Sequence, residues 1–338
     1  MRVAVELLIW ATVTVAIAFD FANGFHDSAN SIATIVATRV LKPVQAVALA
    51  AVGNFVGILL GTAVAKTIAN DIVQPSAIGE HPVSIVLAAL IGALAWDIIT
   101  WYRGLPTSSS HALIGGLVGA GAMAAGFAAV KGDKVLDKVV IPMMTSPVIA
   151  FVFAFLFTAL ILQLGRRSTV HRMNFWFRKL QLASSFFYSV THGTNDAQKT
   201  MGIITALLIA NGMLAAGSGV PLWVMVAAHA AISLGTFFGG WRIVRTMASR
   251  ITSLKPYQGF GAETGGGLVL VATAHLGMPV STTHVITGSI MGVGATRRLS
   301  AVRWGVTRRI VGAWILTIPA SALIGAAAYL VVAGAGVL

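Results

Sequence analysis

No cysteine occurs in the 338-residue sequence, which excludes disulfides and thiolate metal sites. Charge is scarce as well. Asp, Glu, Lys and Arg make up 10% of the chain, against about 25% in a soluble protein. A water-soluble globule is excluded on that ground, and what fills the gap is apolar: 57% of residues are hydrophobic and the mean hydropathy is +0.86. Runs at 85–95, 148–162 and 310–332 approach or reach the ~20 residues needed to cross a bilayer. The run at 3–19 has no basic flank beyond Arg2 and leads straight into a polar cluster, so it is expected to be mature structure rather than a signal peptide. The chain reads as an all-α polytopic membrane protein.

Acidic residues are the rarer sign, 10 against 23 basic, for a net charge of +13. The excess gathers in loops, as the positive-inside rule expects. Five basic residues lie in 166–179 with no acid, four in 242–255 and five in 297–309. No aromatic platform of the kind that stacks bases is interleaved with them, so nucleic acid is excluded as a partner and the lipid bilayer is the expected surroundings. With those three loops inside, the second half offers five apolar segments at 181–212, 219–241, 257–276, 279–296 and 304–336. The first half offers five at 3–38, 44–65, 83–102, 106–129 and 139–164. Both termini then fall outside, as does the loop carrying Asp71 and Glu80. An odd number of passes per half inverts the second half relative to the first, the architecture of many secondary transporters. The expected organisation is a first inverted repeat at 1–164, a short basic linker at 165–179 and a second repeat at 180–338. The segments after Pro106 and Pro279 could be re-entrant hairpins.

The halves also repeat their polar residues. Gly24-Phe25-His26-Asp27-Ser28-Ala29-Asn30-Ser31 matches Gly193-Thr194-Asn195-Asp196-Ala197-Gln198-Lys199-Thr200. Leu105-Pro106-Thr107-Ser108-Ser109-Ser110-His111 matches Met278-Pro279-Val280-Ser281-Thr282-Thr283-His284. Asp27 precedes Pro106 by 79 positions, and Asp196 precedes Pro279 by 83. A carboxylate at membrane depth costs ~2.5–3.5 kcal/mol on insertion scales, so two at matched positions point to a shared site rather than to helix anchors. Asp20 and Asp97 have no such partner. Gly24 and Gly193 are expected to break their helices and free backbone groups for ions. Ser31 and Thr200 fall four residues after each Asp, on the same helical face. In the second pair of motifs, proline suits a first helical turn and Ser or Thr an N-cap. Two helices starting inside the membrane with free N–H groups and hydroxyls would converge on a small multivalent oxyanion. A hydrolase reading of Ser-Ser-Ser-His is disfavoured, because adjacent residues rarely face each other productively and a triad also needs an orienting acid. No enzyme and no cofactor is expected.

Taken in order, residues 24–30, 104–111, 192–199 and 277–284 resemble the motifs of the inorganic phosphate transporter family, and the resemblance covers essentially the whole chain. It implies uptake of inorganic phosphate by a secondary symporter, a homodimer, and both termini outside. The short connection between the halves is similar to the compact, bacterial low-affinity branch in the cell inner membrane. By motif match, Ser108, Ser109, Ser110, Ser281, Thr282 and Thr283 would contact phosphate with Asp27 and Asp196. The coupling ion would involve Asp27, Asn30, Asn195 and Asp196, with His26, Lys199, Ser31 and Thr200 beside them. The sodium-coupled pattern has an Asn-Asp pair in both halves, followed by Asn three residues on. Here His26 replaces the first Asn and Lys199 replaces the second half's distal Asn. A lysine could supply permanently the charge that sodium would bring, and histidine titrates near neutrality. Both departures resemble the proton-coupled branch, whose substrate is often a neutral complex of phosphate with a divalent metal. Sodium coupling, a sulfate permease on the same scaffold, a passive anion channel and a receptor are the alternatives. Phosphate can carry a proton to Asp27 or Asp196 and sulfate cannot, which favours phosphate.

Overall fold

The structure is a computed structural model describing residues 2–68, 82–127 and 130–334; Asp71 and Glu80 lie outside these. Among the described residues thirteen α-helices follow one another and no strand occurs. The first half comprises α1 (Arg2–Ala37), α2 (Pro43–Val56), α3 (Ala63–Thr67), α4 (Pro82–Arg103), α5 (Ser109–Ala125), α6 (Gly132–Val135) and α7 (Ile141–Gly165). The second comprises α8 (Val170–Ala210), α9 (Leu222–Phe238), α10 (Trp241–Ser249), α11 (Pro256–His275), α12 (Thr282–Ala295) and α13 (Trp304–Gly334). Of the basic connection, only residues 166–169 are non-helical. Thr169 caps α8 by accepting a hydrogen bond from the Arg172 N–H, so 170–179 form the first turns of that helix.

Five described helical stretches are long and apolar enough to cross a bilayer: Val5–Ala37, Pro43–Leu60, Pro82–Arg103, Gly132–Gly165 and Trp304–Gly334. A sixth arises if α9 and α10, bent 70° at their junction, are one span. Their outward faces are oily. Met144, Val148, Val152, Leu156 and Leu160 are exposed along α7, and Ile315, Leu323 and Val331 along α13. Polar residues are instead buried inside, the reverse of a soluble protein. α5 has 17 residues and α12 has 14, short of the ~20 a full span needs. Each begins inside the protein at a serine N-cap, Ser108 or Ser281.

The helices of the two halves exchange partners. α1 packs on α9 and α10, while α8 packs on α2 and α3. α13 packs on α4 and α5, while α7 packs on α11 and α12. Each of these contacts has its counterpart with the halves swapped.

Gly24 and Gly193 do not break their helices: α1 and α8 run through them. A Cβ on Gly24 would collide with the backbone of Ile232 on α9, and one on Gly193 with the backbone of Asn54 on α2. Small residues let membrane helices approach closely, and this use, rather than the bending glycine also permits, explains the matched pair. The breaks fall in the second motifs. Gly104 (φ +64°) and Gly277 (φ +63°) take the left-handed conformation that ends a helix. The chain then runs extended through the Pro-hydroxyl turn into α5 or α12.

Candidate functional site

α1 and α8 cross the interior carrying Asp27 and Asp196, and the N-termini of α5 and α12 meet them there. Every candidate residue drawn from the sequence is buried, with Ser110 the most accessible at 7%. Thr283 donates to Asp27 Oδ2 (3.2 Å) and Thr282 to Asp196 Oδ2 (2.9 Å). Asn30 Nδ2 donates to Thr283 (2.9 Å) and Thr282 (3.3 Å). One hydroxyl turn of the second half therefore serves the carboxylates of both halves. Lys199 Nζ donates to Asp196, to the Ser110 hydroxyl at the start of α5, and to the Val280 carbonyl (3.2 Å). It ties both Pro-hydroxyl turns to Asp196.

Ser108 and Ser281 act as caps, accepting from the N–H of His111 (3.3 Å) and His284 (3.2 Å). Ser109 keeps its hydroxyl free of hydrogen bonds. The two histidines brace the turns: their rings lie 4.9 Å apart, His284 stacks on Trp314 at 3.8 Å, and Trp314 Nε1 donates to the Pro106 carbonyl. Asn195 donates to the carbonyls of Thr191 (2.8 Å) and Leu270 (3.3 Å). Thr200 turns away from Asp196 and donates to Asp20 (2.8 Å), while the Ser31 hydroxyl has no partner. Asp97 lines a small void with His26, and among the described residues neither of its oxygens closes a hydrogen bond of ordinary geometry.

Hydrogen-bond direction fixes both histidines that touch the carboxylates. His26 Nδ1 lies 2.6 Å from Asp27 Oδ1, and its Nε2 lies 3.0 Å from the Thr100 hydroxyl. Thr100 gives its proton to the Trp96 carbonyl (3.0 Å) and accepts from Thr107 (3.0 Å), so His26 Nε2 must be the donor to it. His192 Nε2 lies 3.0 Å from Asp196 Oδ2, and its Nδ1 lies 3.1 Å from Asn54 Oδ1. The Asn54 amide donates to Thr236 (2.8 Å), whose hydroxyl donates to the Gly24 carbonyl (3.1 Å). Asn54 therefore offers an oxygen, and His192 Nδ1 donates to it. In each couple the far nitrogen already carries a proton; His26 Nδ1 and Asp27 face each other in hydrogen-bond geometry across a gap that a second proton must fill, while His192 Nε2 lies at ion-pair distance from Asp196 without closing a hydrogen bond of ordinary geometry.

His192 was not among the residues chosen from sequence. Its signal was spacing: four residues before Asp196, it shares that residue's helical face. Asn54, Thr100 and Thr236 gave no such signal, because they come from helices whose packing the motifs do not specify. Ligand atoms of Asp27, His192 and Asp196 all lie within 4.8 Å of one another, a spacing a cation could bridge. A further polar knot, also missed, joins α1, α8 and α11. There Glu263 is buried and accepts from Thr34 (2.5 Å), Gln181 (3.1 Å) and Ser184.

A polytopic helical bundle, whose exchanged halves bury one polar site at the ends of two internal helices, has the form of a membrane carrier. The model of the phosphate transporter family matches residues 23–174 and 163–325, and the chain belongs to that family. A Rhizobium meliloti protein named "Probable low-affinity inorganic phosphate transporter" is 52% identical over 95% of this chain and 96% of its own length. A Bacillus subtilis protein of the same name is 45% identical over 96% and 98%. Among solved structures, "The sodium-dependent phosphate transporter" matches with a TM-score of 0.84 at 26% identity, covering 97% of this chain and 99% of that one. These relatives are named as transporters, and the chain is not an enzyme.

Proposed function

We propose that the protein imports inorganic phosphate by symport with protons, the anion binding where the N-termini of α5 and α12 face Asp27, Asp196 and Lys199. The observation that carries proton coupling is the pair of His–Asp couples, each with its far nitrogen pinned as a donor. With both gaps protonated, His26, Asp27, His192, Asp196 and Lys199 together hold one net positive charge. With both protons gone they hold one net negative charge. Proton loading thus makes the cluster attractive to an anion, and anion binding in turn favours proton loading, since linkage is reciprocal. The free hydroxyl of Ser109, the hydroxyls of Ser110, Thr282 and Thr283, and the N–H groups at the two helix starts would receive the phosphate oxygens. Lys199 would release Ser110 to do so. A divalent cation travelling with phosphate could bridge Asp27 and Asp196. In this reading the repeats are inverted, both termini lie outside the inner membrane, and the working unit is a homodimer.

Sodium coupling is the second reading, favoured by the solved neighbour, a transporter described as sodium-dependent. His26 and Lys199 stand against it, because each replaces a neutral amide in the sodium-coupled pattern with a group that is or becomes cationic. Gradient substitution in proteoliposomes decides between them. Labelled-phosphate uptake should follow an imposed pH gradient with sodium absent, rise with added magnesium, and resist sulfate. Uptake that requires sodium and ignores pH would overturn proton coupling, and uptake that sulfate outcompetes would overturn phosphate as the substrate.

A further inference from the structure

Beside the end of α4 lies a cavity of about 440 Å³, unrelated to the buried carboxylates and lined by Arg103, Arg242, Arg245 and Arg250 with Tyr102 and Trp241. Among the described residues, no acidic one lines it. Arg242 is held in place: its guanidinium donates to the Tyr102 carbonyl (2.7 Å) and lies over the rings of Tyr102 (4.6 Å) and Trp101 (5.1 Å). Among the described residues, the guanidinium groups of Arg103, Arg245 and Arg250 make no hydrogen bond and no ion pair. The positive-inside rule accounts for basic loops. It does not account for four exposed arginines, drawn from two separate segments, lining one concavity, which gives that concavity a positive potential that attracts anions.

We propose that this cavity is a second anion site, taking a phosphoryl group through the forked guanidinium donors that suit one. Both walls belong to the transport machinery. Gly104, where an added Cβ would come within 3.2 Å of the Arg242 carbonyl oxygen, opens the turn that leads to Ser108–Ser110. Thr246 on α10 donates to the Gly104 carbonyl (2.8 Å). An anion held between Arg103 and the arginines at 242–250 would clamp that turn to α10 and slow its motion, so occupancy would inhibit transport from the side the basic loops face. Tyr102 and Trp241 are the aromatic types that gather at the membrane interface, so the phosphoryl group could belong to an anionic lipid or be free in solution.

The test uses the full chain in phosphatidylcholine nanodiscs, with pyrophosphate as the soluble probe followed by calorimetry, and compares it with the Arg245→Gln/Arg250→Gln double variant. Neither residue touches the buried site. Pyrophosphate should bind the native protein and bind the variant about a hundredfold more weakly. Binding should survive in Asp196→Asn, which disables the buried site. If phosphatidylglycerol in the nanodisc suppresses pyrophosphate binding to the native protein, the lipid headgroup is the resident anion and the site stands. If native protein and double variant bind pyrophosphate alike, or neither binds it and both retain the same phosphatidylglycerol on purification, the proposal fails. Symport by the buried site is untouched by either result.

Discussion

Asp27 and Asp196 occupy the same place in the two copies of the motif, yet the protein holds them differently. Asp27 is met by the histidine next to it in sequence, Asp196 by the histidine four residues before it. His192 stands where the first copy has Asn23, and His26 stands where the second has Asn195. Only Asp196 has a lysine. The two copies reach one chemical result, a carboxylate facing a pinned imidazole, from different positions. One side then adds a permanent charge that spans both hydroxyl turns. The matched motifs place the carboxylates alike; the residues around them give one side two cationic neighbours and the other side one.

Removing the carboxylates tests that difference most severely. Asp196→Asn leaves Lys199 and any proton on His192 buried without a counter-charge, a situation that costs ~3–5 kcal/mol. Asp27→Asn leaves no lysine stranded. Phosphate accumulation in vesicles should be abolished in both, while thermal unfolding in detergent should drop clearly further for Asp196→Asn. Equal losses of stability would show that the Lys199 contact contributes nothing, and intact accumulation in either variant would remove that carboxylate from the mechanism.

Next in size is the lysine itself. Lys199→Asn restores the residue found at the matched position, Asn30, and makes the two copies alike. Proton-driven uptake should fall roughly tenfold, the scale of one lost charge-assisted contact of ~1.4 kcal/mol, and sodium should now stimulate it. Normal, sodium-independent uptake by this variant would refute the fixed-charge role. The histidines follow. His192→Asn and His26→Asn each delete one of the two proton gaps, so accumulation per unit of pH gradient should decline while facilitated, downhill exchange of phosphate continues. A downhill rate that collapses with accumulation would mark them as scaffolding alone.

Much of this was legible in the residues alone. The repeated motifs located Asp27, Asp196 and the hydroxyl turns, because polar residues in an apolar chain have few reasons to be there. Short helices starting at Ser108 and Ser281 were readable from proline and hydroxyl chemistry. The glycines misled: Gly24 and Gly193 carry no local sign of whether they bend a helix or admit a neighbour, and only the passage of α9 and α2 decides it. The same holds for Asn54 and Thr100. They orient the histidines from helices that no spacing rule connects to Asp27 or Asp196, so their role exists only in the packing. Asp97 gave no signal either way, since a single buried acid fits an anchor as well as a site.

The smallest effect concerns that residue, where the comparison between halves can be pressed once more. Asp97 on α4 has Leu270 at the matched position on α11, so its role is not shared by the two halves. If it anchored helices it would need donors, and among the described residues none closes on it. It lies instead beside His26, on the wall of a void of about 40 Å³ shared with Phe25 and Trp101, enough for one water. An unpaired buried carboxylate destabilises the fold it sits in, so Asp97→Asn should leave unfolding temperature unchanged or raise it by ~2 °C. An anchor would give the opposite sign. A fall in unfolding temperature would return Asp97 to a structural role. A rise, accompanied by slower proton-driven uptake, would place it beside His26 as a functional acid that the second half lacks.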